Sequence, residues 1–95
     1  TKAKNELNLD EYKKAMEAGK IKNSDPASID AQNLVKRIQN YITENLYTCT
    51  NKILRGLGKM YSGGGEITMN IDVYGGEGTA VFVANAIEIY CDKAE

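Results

Sequence analysis

Apolar residues along this chain recur first at helical intervals. Leu9, Tyr12, Ala15 or Met16, and Gly19 lie three to four positions apart. This spacing predicts a short amphipathic helix over 9–19, with Asn8 or Asp10 as N-cap and Gly19 as its C-terminal stop. About three turns with so thin an apolar face do not hold a helix unaided, so this one depends on packing. Residues 1–8 are polar, carry no pattern and read as a frayed or disordered end. Next comes Ser24-Asp25-Pro26, the clearest helix start in the chain, with Asp25 placed to accept free backbone N–H groups and Pro26 suited to the first helical position. From there Ala31, Leu34, Val35, Ile38, Tyr41, Ile42 and Asn45 form an apolar stripe, with Lys36, Arg37, Gln39, Asn40 and Glu44 opposite. A long helix over 26–45 follows. Thr50 can cap a third helix, which carries Ile53, Leu54, Leu57, Met60 and Tyr61 on one side and ends in Ser62-Gly63-Gly64-Gly65.

Beyond residue 65 the pattern supports two structures. Ile67, Met69, Ile71 and Val73 alternate at period two, and Gly75-Gly76-Glu77-Gly78 could turn the chain into a β-hairpin. A helical reading places Ile67, Ile71 and Tyr74 on one side of a two-turn helix. It then sets Ala80, Val81, Ala84, Ile87 and Cys91 on the core face of a longer one. The unbroken length of the last segment and its alanines suit a helix, because strands usually run about five or six residues.

Composition narrows the chemistry. The chain has 95 residues with no histidine, no tryptophan, two cysteines and one proline. Without His there is no Ser-His-Asp or Cys-His arrangement, no Cys₂His₂ zinc site and no HExxH helix. Two cysteines cannot make a Cys₄ site. The length suits one domain, because two cores of half this size would bury too little apolar surface, and scaling gives a radius of gyration of about 12–13 Å. The apolar share of 42% and charged share of 26% are those of a folded globular chain. No segment is long and apolar enough to be expected to span a bilayer, and no secretory leader opens the chain; a cytoplasmic setting is expected. The net charge of −1 hides an asymmetry: residues 1–60 carry 11 basic and 7 acidic side chains, and residues 61–95 carry 1 and 6. A basic face of the kind that binds DNA is not concentrated here.

The glycines at 63–65 and 75–78 lack the Lys-Ser/Thr of a phosphate loop and read as turn residues at helix ends. Gly56 and Gly58 differ, because they interrupt a helix, and such glycines allow a second helix or a ligand to come close. Cys49 precedes the third helix, where free N–H groups and Lys52 favour a thiolate; packing as a small apolar residue at a helix corner is the plainer alternative. Cys91 lies on an apolar face and reads as buried. Each of the six tyrosines pairs an apolar body with a polar tip, suited either to the edge of a core or to the wall of a pocket for a large, mostly apolar ligand. No catalytic constellation emerges, and no cofactor or metal is implied.

Read together, Ser24-Asp25-Pro26 with Leu34-Val35, Tyr47-Thr48-Cys49-Thr50, Leu54-Arg55-Gly56-Leu57-Gly58-Lys59-Met60-Tyr61, Asn70-Ile71-Asp72 and Gly78-Thr79-Ala80-Val81-Phe82 with Ala86-Ile87 resemble the TipAS domain. That is the antibiotic-recognition domain at the C-terminus of MerR-type transcriptional activators. The resemblance covers about residues 9–91. It implies a single effector-binding domain over 9–95 with an all-α, globin-like fold of five helices near 8–19, 26–45, 50–62, 66–74 and 78–91, which favours helix over hairpin after residue 65. It implies a small-molecule effector, such as a thiopeptide-like antibiotic, held in a cleft lined by Tyr12, Tyr41, Tyr47, Cys49 and Met60. Cys49 stands where thiopeptide-binding relatives carry a cysteine that adds to ligand dehydroalanines, and the 8–19 helix matches a mobile lid. DNA and RNA polymerase would be engaged only through a part of the regulator upstream of this chain, and the full regulator would be a homodimer. The chain departs from many relatives at Ser62-Gly63-Gly64-Gly65-Glu66-Ile67, where they carry an Asp-Pro-Arg-Phe-like run, and at Asn51 and Lys52. A protein-interaction or dimer-supporting module without a small ligand is the alternative function.

Overall fold

In the computed structural model, residues 9–94 are described, with side chains from residue 13 onward. The frayed end expected at 1–8 lies outside the described residues. Five helices follow one another: α1 (Leu9–Ile21), α2 (Ile29–Asn45), α3 (Asn51–Tyr61), α4 (Glu66–Gly75) and α5 (Thr79–Ala94). There are no strands among the described residues, so the segment after residue 65 is helical and the hairpin is excluded. Its period-two pattern was misleading for a physical reason. Met69 and Val73 point to solvent and only Ile71 of that alternation is buried. The bundle is all-α, with a radius of gyration of 12.2 Å.

Two boundaries differ from the sequence expectation. The α2 helix starts at Ile29, not at residue 26: Ser28 is the N-cap and its Oγ accepts from the Ala31 N–H at 3.2 Å. Asp25 instead closes a local turn, accepting from the Ala27 N–H at 2.8 Å, and this turn carries Pro26 ahead of the helix. Gly19 does not end α1, which runs on to Ile21. Its lack of a side chain serves packing: a Cβ there would sit 2.1 Å from the Gly75 carbonyl oxygen. Likewise a Cβ on Gly75 would meet the Ala15 carbonyl oxygen at 2.5 Å. The two glycines let α1 and α4 touch backbone to backbone.

The main core lies between α2, α3 and α5. It joins Leu34, Val35, Ile38 and Ile42 of α2 and Leu54 of α3 to Phe82, Val83, Ala86, Ile87 and Cys91 of α5. Gly58 is buried, and a Cβ on it would come within 3.1 Å of Ile87; the glycine in this helix makes room for α5. Gly56, by contrast, faces open space. The α5 helix is buried around more of its girth than an amphipathic stripe provides. Phe82 and Val83 are inside, whereas Val81, expected on the core face, is exposed. A smaller cluster joins Ala15 of α1, Ile71 of α4 and Ala80 of α5, with Tyr61 packed against both clusters. Asp72 of α4 stitches this layer to α5, its Oδ1 accepting from the Ala80 N–H at 2.9 Å.

Candidate functional site

The segment between α2 and α3 carries Tyr47 and Cys49. Ile42 is the last buried residue of α2, and its carbonyl accepts from both the Leu46 N–H (2.9 Å) and the Tyr47 N–H (3.1 Å). The helix therefore closes and the chain turns outward. Thr50 then restarts it as the N-cap of α3, its Oγ1 accepting from the Ile53 N–H at 3.2 Å. Between these two caps the chain dips inward once, at Cys49, which is 4% exposed and part of the main core. Leu46, Tyr47 and Thr48 on one side of it and Thr50 on the other are exposed. Burial pushes the Cys49 thiol up from its usual value, opposite to the thiolate-favouring effect expected of a helix N-terminus. Lys52 is exposed and does not offset this.

Polar groups hold the segment from both sides of Cys49. The Cys49 N–H donates to Thr43 Oγ1 at 3.1 Å. Gln39 of α2 donates from Nε2 to the Cys49 carbonyl at 2.8 Å and to Asn51 Oδ1 at 2.9 Å, and its Oε1 accepts from the Tyr90 hydroxyl of α5 at 3.0 Å. Periodicity assigns Gln39 to the solvent face. It lies at the edge of the apolar stripe and turns inward. Asn45, read as the end of that stripe, is exposed and donates to the Tyr41 carbonyl at 2.9 Å.

A second feature is the cleft between α1 and α2, with a volume of about 250 Å³, lined by Glu17, Lys20 and Ile21 of α1 and Asp30, Asn33, Leu34 and Arg37 of α2. Its floor is fully buried Leu34. Its wall is a salt bridge between Arg37 and Glu17 at 2.7 Å, both half-exposed. One turn beyond Arg37 on α2, the Tyr41 ring lies under Lys14 of α1, whose Nζ is 4.8 Å from its centroid. The salt bridge is open to water, the Lys14–Tyr41 pair is half-buried, and Ala18 of α1 packs into the main core.

Of the five residues expected to line a ligand site, Tyr41, Tyr47 and Cys49 lie in and just after the last turns of α2. Tyr41 is half-buried against the main core and Tyr47 is 48% exposed. Met60 is 53% exposed at the opposite end of α3 from Cys49, about 15 Å away by helical rise. Tyr12 lies in α1, two residues before Lys14, but its side chain is not among those described. Sequence reasoning missed Gln39, Lys14 and Gln32; the last donates to the carbonyls of Pro26 (2.8 Å) and Ala86 (3.1 Å) and ties the α1–α2 turn to α5. No group of three or more His, Cys, Asp or Glu side chains suited to a metal occurs among the described residues. Nor, among them, is any helix long and apolar enough to cross a membrane.

Residues 2–90 match the TipAS antibiotic-recognition domain. The chain is 40% identical over 70 residues to the HTH-type transcriptional activator mta of Bacillus subtilis (strain 168), a match covering 74% of this chain and 27% of that activator. The chain thus corresponds to about a quarter of its relative's length. No solved structure matches it. The five-helix architecture and the family match over nearly the whole chain agree, and the chain belongs to the TipAS antibiotic-recognition domain family.

Proposed function

We propose that this chain is the effector-sensing domain of a MerR-type transcriptional regulator working in the cytoplasm. It binds a bulky, largely apolar compound and passes that event to a DNA-binding part of the regulator outside this chain, and it performs no catalysis itself. DNA and RNA polymerase are engaged only through that other part, and the regulator acts as a homodimer. The observation that carries this reading is the α1–α2 seam: an apolar floor at Leu34 under a helix linked to α2 by an exposed salt bridge and a half-buried cation–π contact. A space of about 250 Å³ is below the range of roughly 300–1,000 Å³ typical of drug-sized ligands. A bulky ligand therefore enters by displacing α1, exchanging a salt bridge, a cation–π contact and the modest burial of Ala15, Ala18 and Ile21 for apolar burial against the ligand. Tyr12, Tyr41, Tyr47, Cys49 and Met60 are the residues assigned to contact the ligand; none of them lines the cleft with α1 in place, and the assignment applies to the site with α1 moved.

Cys49 serves either as a pocket residue or as a covalent anchor. In the covalent case its sulfur adds to the methylene carbon of a dehydroalanine, the C=C bond becomes a single bond, and a proton is delivered to the α-carbon. Incubation with a dehydroalanine-containing thiopeptide then raises the protein mass by one ligand, and Cys49→Ser loses the increase. Sensing without covalent capture gives a rise in melting temperature with no mass change. No shift with any member of a broad panel of bulky apolar compounds overturns the sensing reading. The alternative, an interaction or dimer-supporting module, draws on Ile29 and Val73, 78% and 74% exposed. It predicts that stability responds to protein concentration and not to compounds.

A further inference from the structure

Cys49 is the one apolar anchor of its segment in the main core. Its neighbours Leu46, Tyr47 and Thr48 face water, and the cysteine side chain is small. What else holds the segment is polar, and most of it converges on one side chain. The Gln39 amide is used at both ends: Nε2 donates to the Cys49 carbonyl and to Asn51 Oδ1, and Oε1 accepts from the Tyr90 hydroxyl. It thereby joins α2, the Cys49 segment, the first turn of α3 and the last turns of α5. The amide suits this place because it both donates and accepts; a carboxylate lacks the donors and a hydrocarbon lacks both.

We infer that Gln39 is a positioning residue, the latch that keeps the Cys49 segment closed, and that its bond to Tyr90 ties the state of that segment to α5. Releasing the latch exposes the thiol without unfolding the core. The meaning of the latch for sensing rests on the reading of Cys49 as part of the effector site; the latch itself does not.

The test needs no effector. Native chain is labelled with N-ethylmaleimide, and peptide mass spectrometry follows Cys49 and Cys91 separately. Cys91 is fully buried with its thiol 3.4 Å from the Asn51 carbonyl, so it reports opening between α3 and α5, and urea titration of each variant reports global opening. Gln39→Met should raise the Cys49 labelling rate about tenfold or more, the loss of hydrogen bonds worth roughly 1.4 kcal/mol, and by more than the accompanying fall in global stability explains. Tyr90→Phe removes one hydroxyl far in sequence from the segment and should raise the Cys49 rate by a smaller factor. A Cys49 acceleration no larger than the fall in global stability explains signals general destabilisation and overturns the inference. So does an unchanged Cys49 rate in Tyr90→Phe, which also decides the matter if Gln39→Met does not fold. A latch effect with no melting-temperature shift from any compound of the panel in any variant leaves the latch standing and removes the sensing reading. Thiopeptide capture at the same rate in the parent chain and Gln39→Met does the reverse.

Discussion

The α2–α3–α5 core and the α1 layer are built from different materials. The core joins large branched and aromatic side chains, among them Leu34, Leu54, Phe82 and Ile87, each buried. From α1, among the side chains described, the contributions are Ala15 and Ala18, with half-buried Ile21. Alanines bury little area, so α1 gains little from the hydrophobic effect. It is held by close backbone approach on the α4 side, at Gly19 and Gly75, and by an exposed salt bridge and a half-buried cation–π contact on the α2 side. Such a helix is specific in position yet cheap to move. A sensing domain needs this division between a scaffold that persists and a layer that yields.

Substitutions should divide along the same line. Leu54→Ala empties a fully buried site in the core and should cost about 2–5 kcal/mol in denaturant unfolding, whereas Ile71→Ala in the smaller cluster should sit at the lower end, about 2 kcal/mol. If the two are equal, the distinction between core and layer fails. Gly19→Val drives a side chain into the Gly75 carbonyl and should cost about 3 kcal/mol by overpacking. Circular dichroism and amide exchange should place the damage in α1 and α4 while α2, α3 and α5 keep their protection. Arg37→Met removes the exposed salt bridge to Glu17 and should change stability by less than about 0.5 kcal/mol; a larger loss would mean that the α1–α2 seam is a structural joint.

A still smaller effect concerns pH. Burial raises the folded thiol of Cys49 above its ordinary value of 9.0, so the folded state holds this proton more tightly than the unfolded state. That contribution is complete below pH 9.0 and is lost as pH rises through the higher folded value. Stability of the parent chain should therefore fall relative to Cys49→Ala above that pH, as followed by urea midpoints. A constant difference across the range would show that the thiol is not held in an apolar setting.

Much of the architecture was legible because helix periodicity and the order of motifs agreed. The helices 26–45 and 50–61 carry strong stripes with their caps nearby, and the family resemblance supplied the helical reading of residues 66–91. Position along the chain was less legible where local and tertiary reasons compete. Asp25-Pro26 has the chemistry of a helix start, but Ser28 takes the cap and the earlier pair makes a turn. Gly19 has the chemistry of a stop, but what fixes it is the backbone of α4, 56 positions away at Gly75. The candidate site was the least legible part. Periodicity marks Gln39 as polar and assigns it to solvent, because its three partners, Cys49, Asn51 and Tyr90, meet it only after α2, α3 and α5 have packed. For Cys49 the helix-end argument suggested a thiolate, and burial reverses the sign.

The central claim is that α1 opens from a scaffold that stays folded. Native-state amide exchange along a denaturant series measures it directly. The account predicts that α1 amides exchange through a local opening about 2 kcal/mol or more below that of α5, with weak denaturant dependence, while α2, α3 and α5 exchange near the global limit. Exchange of α1 at the same free energy and with the same denaturant dependence as α5 would contradict it, because the five helices would then open only together.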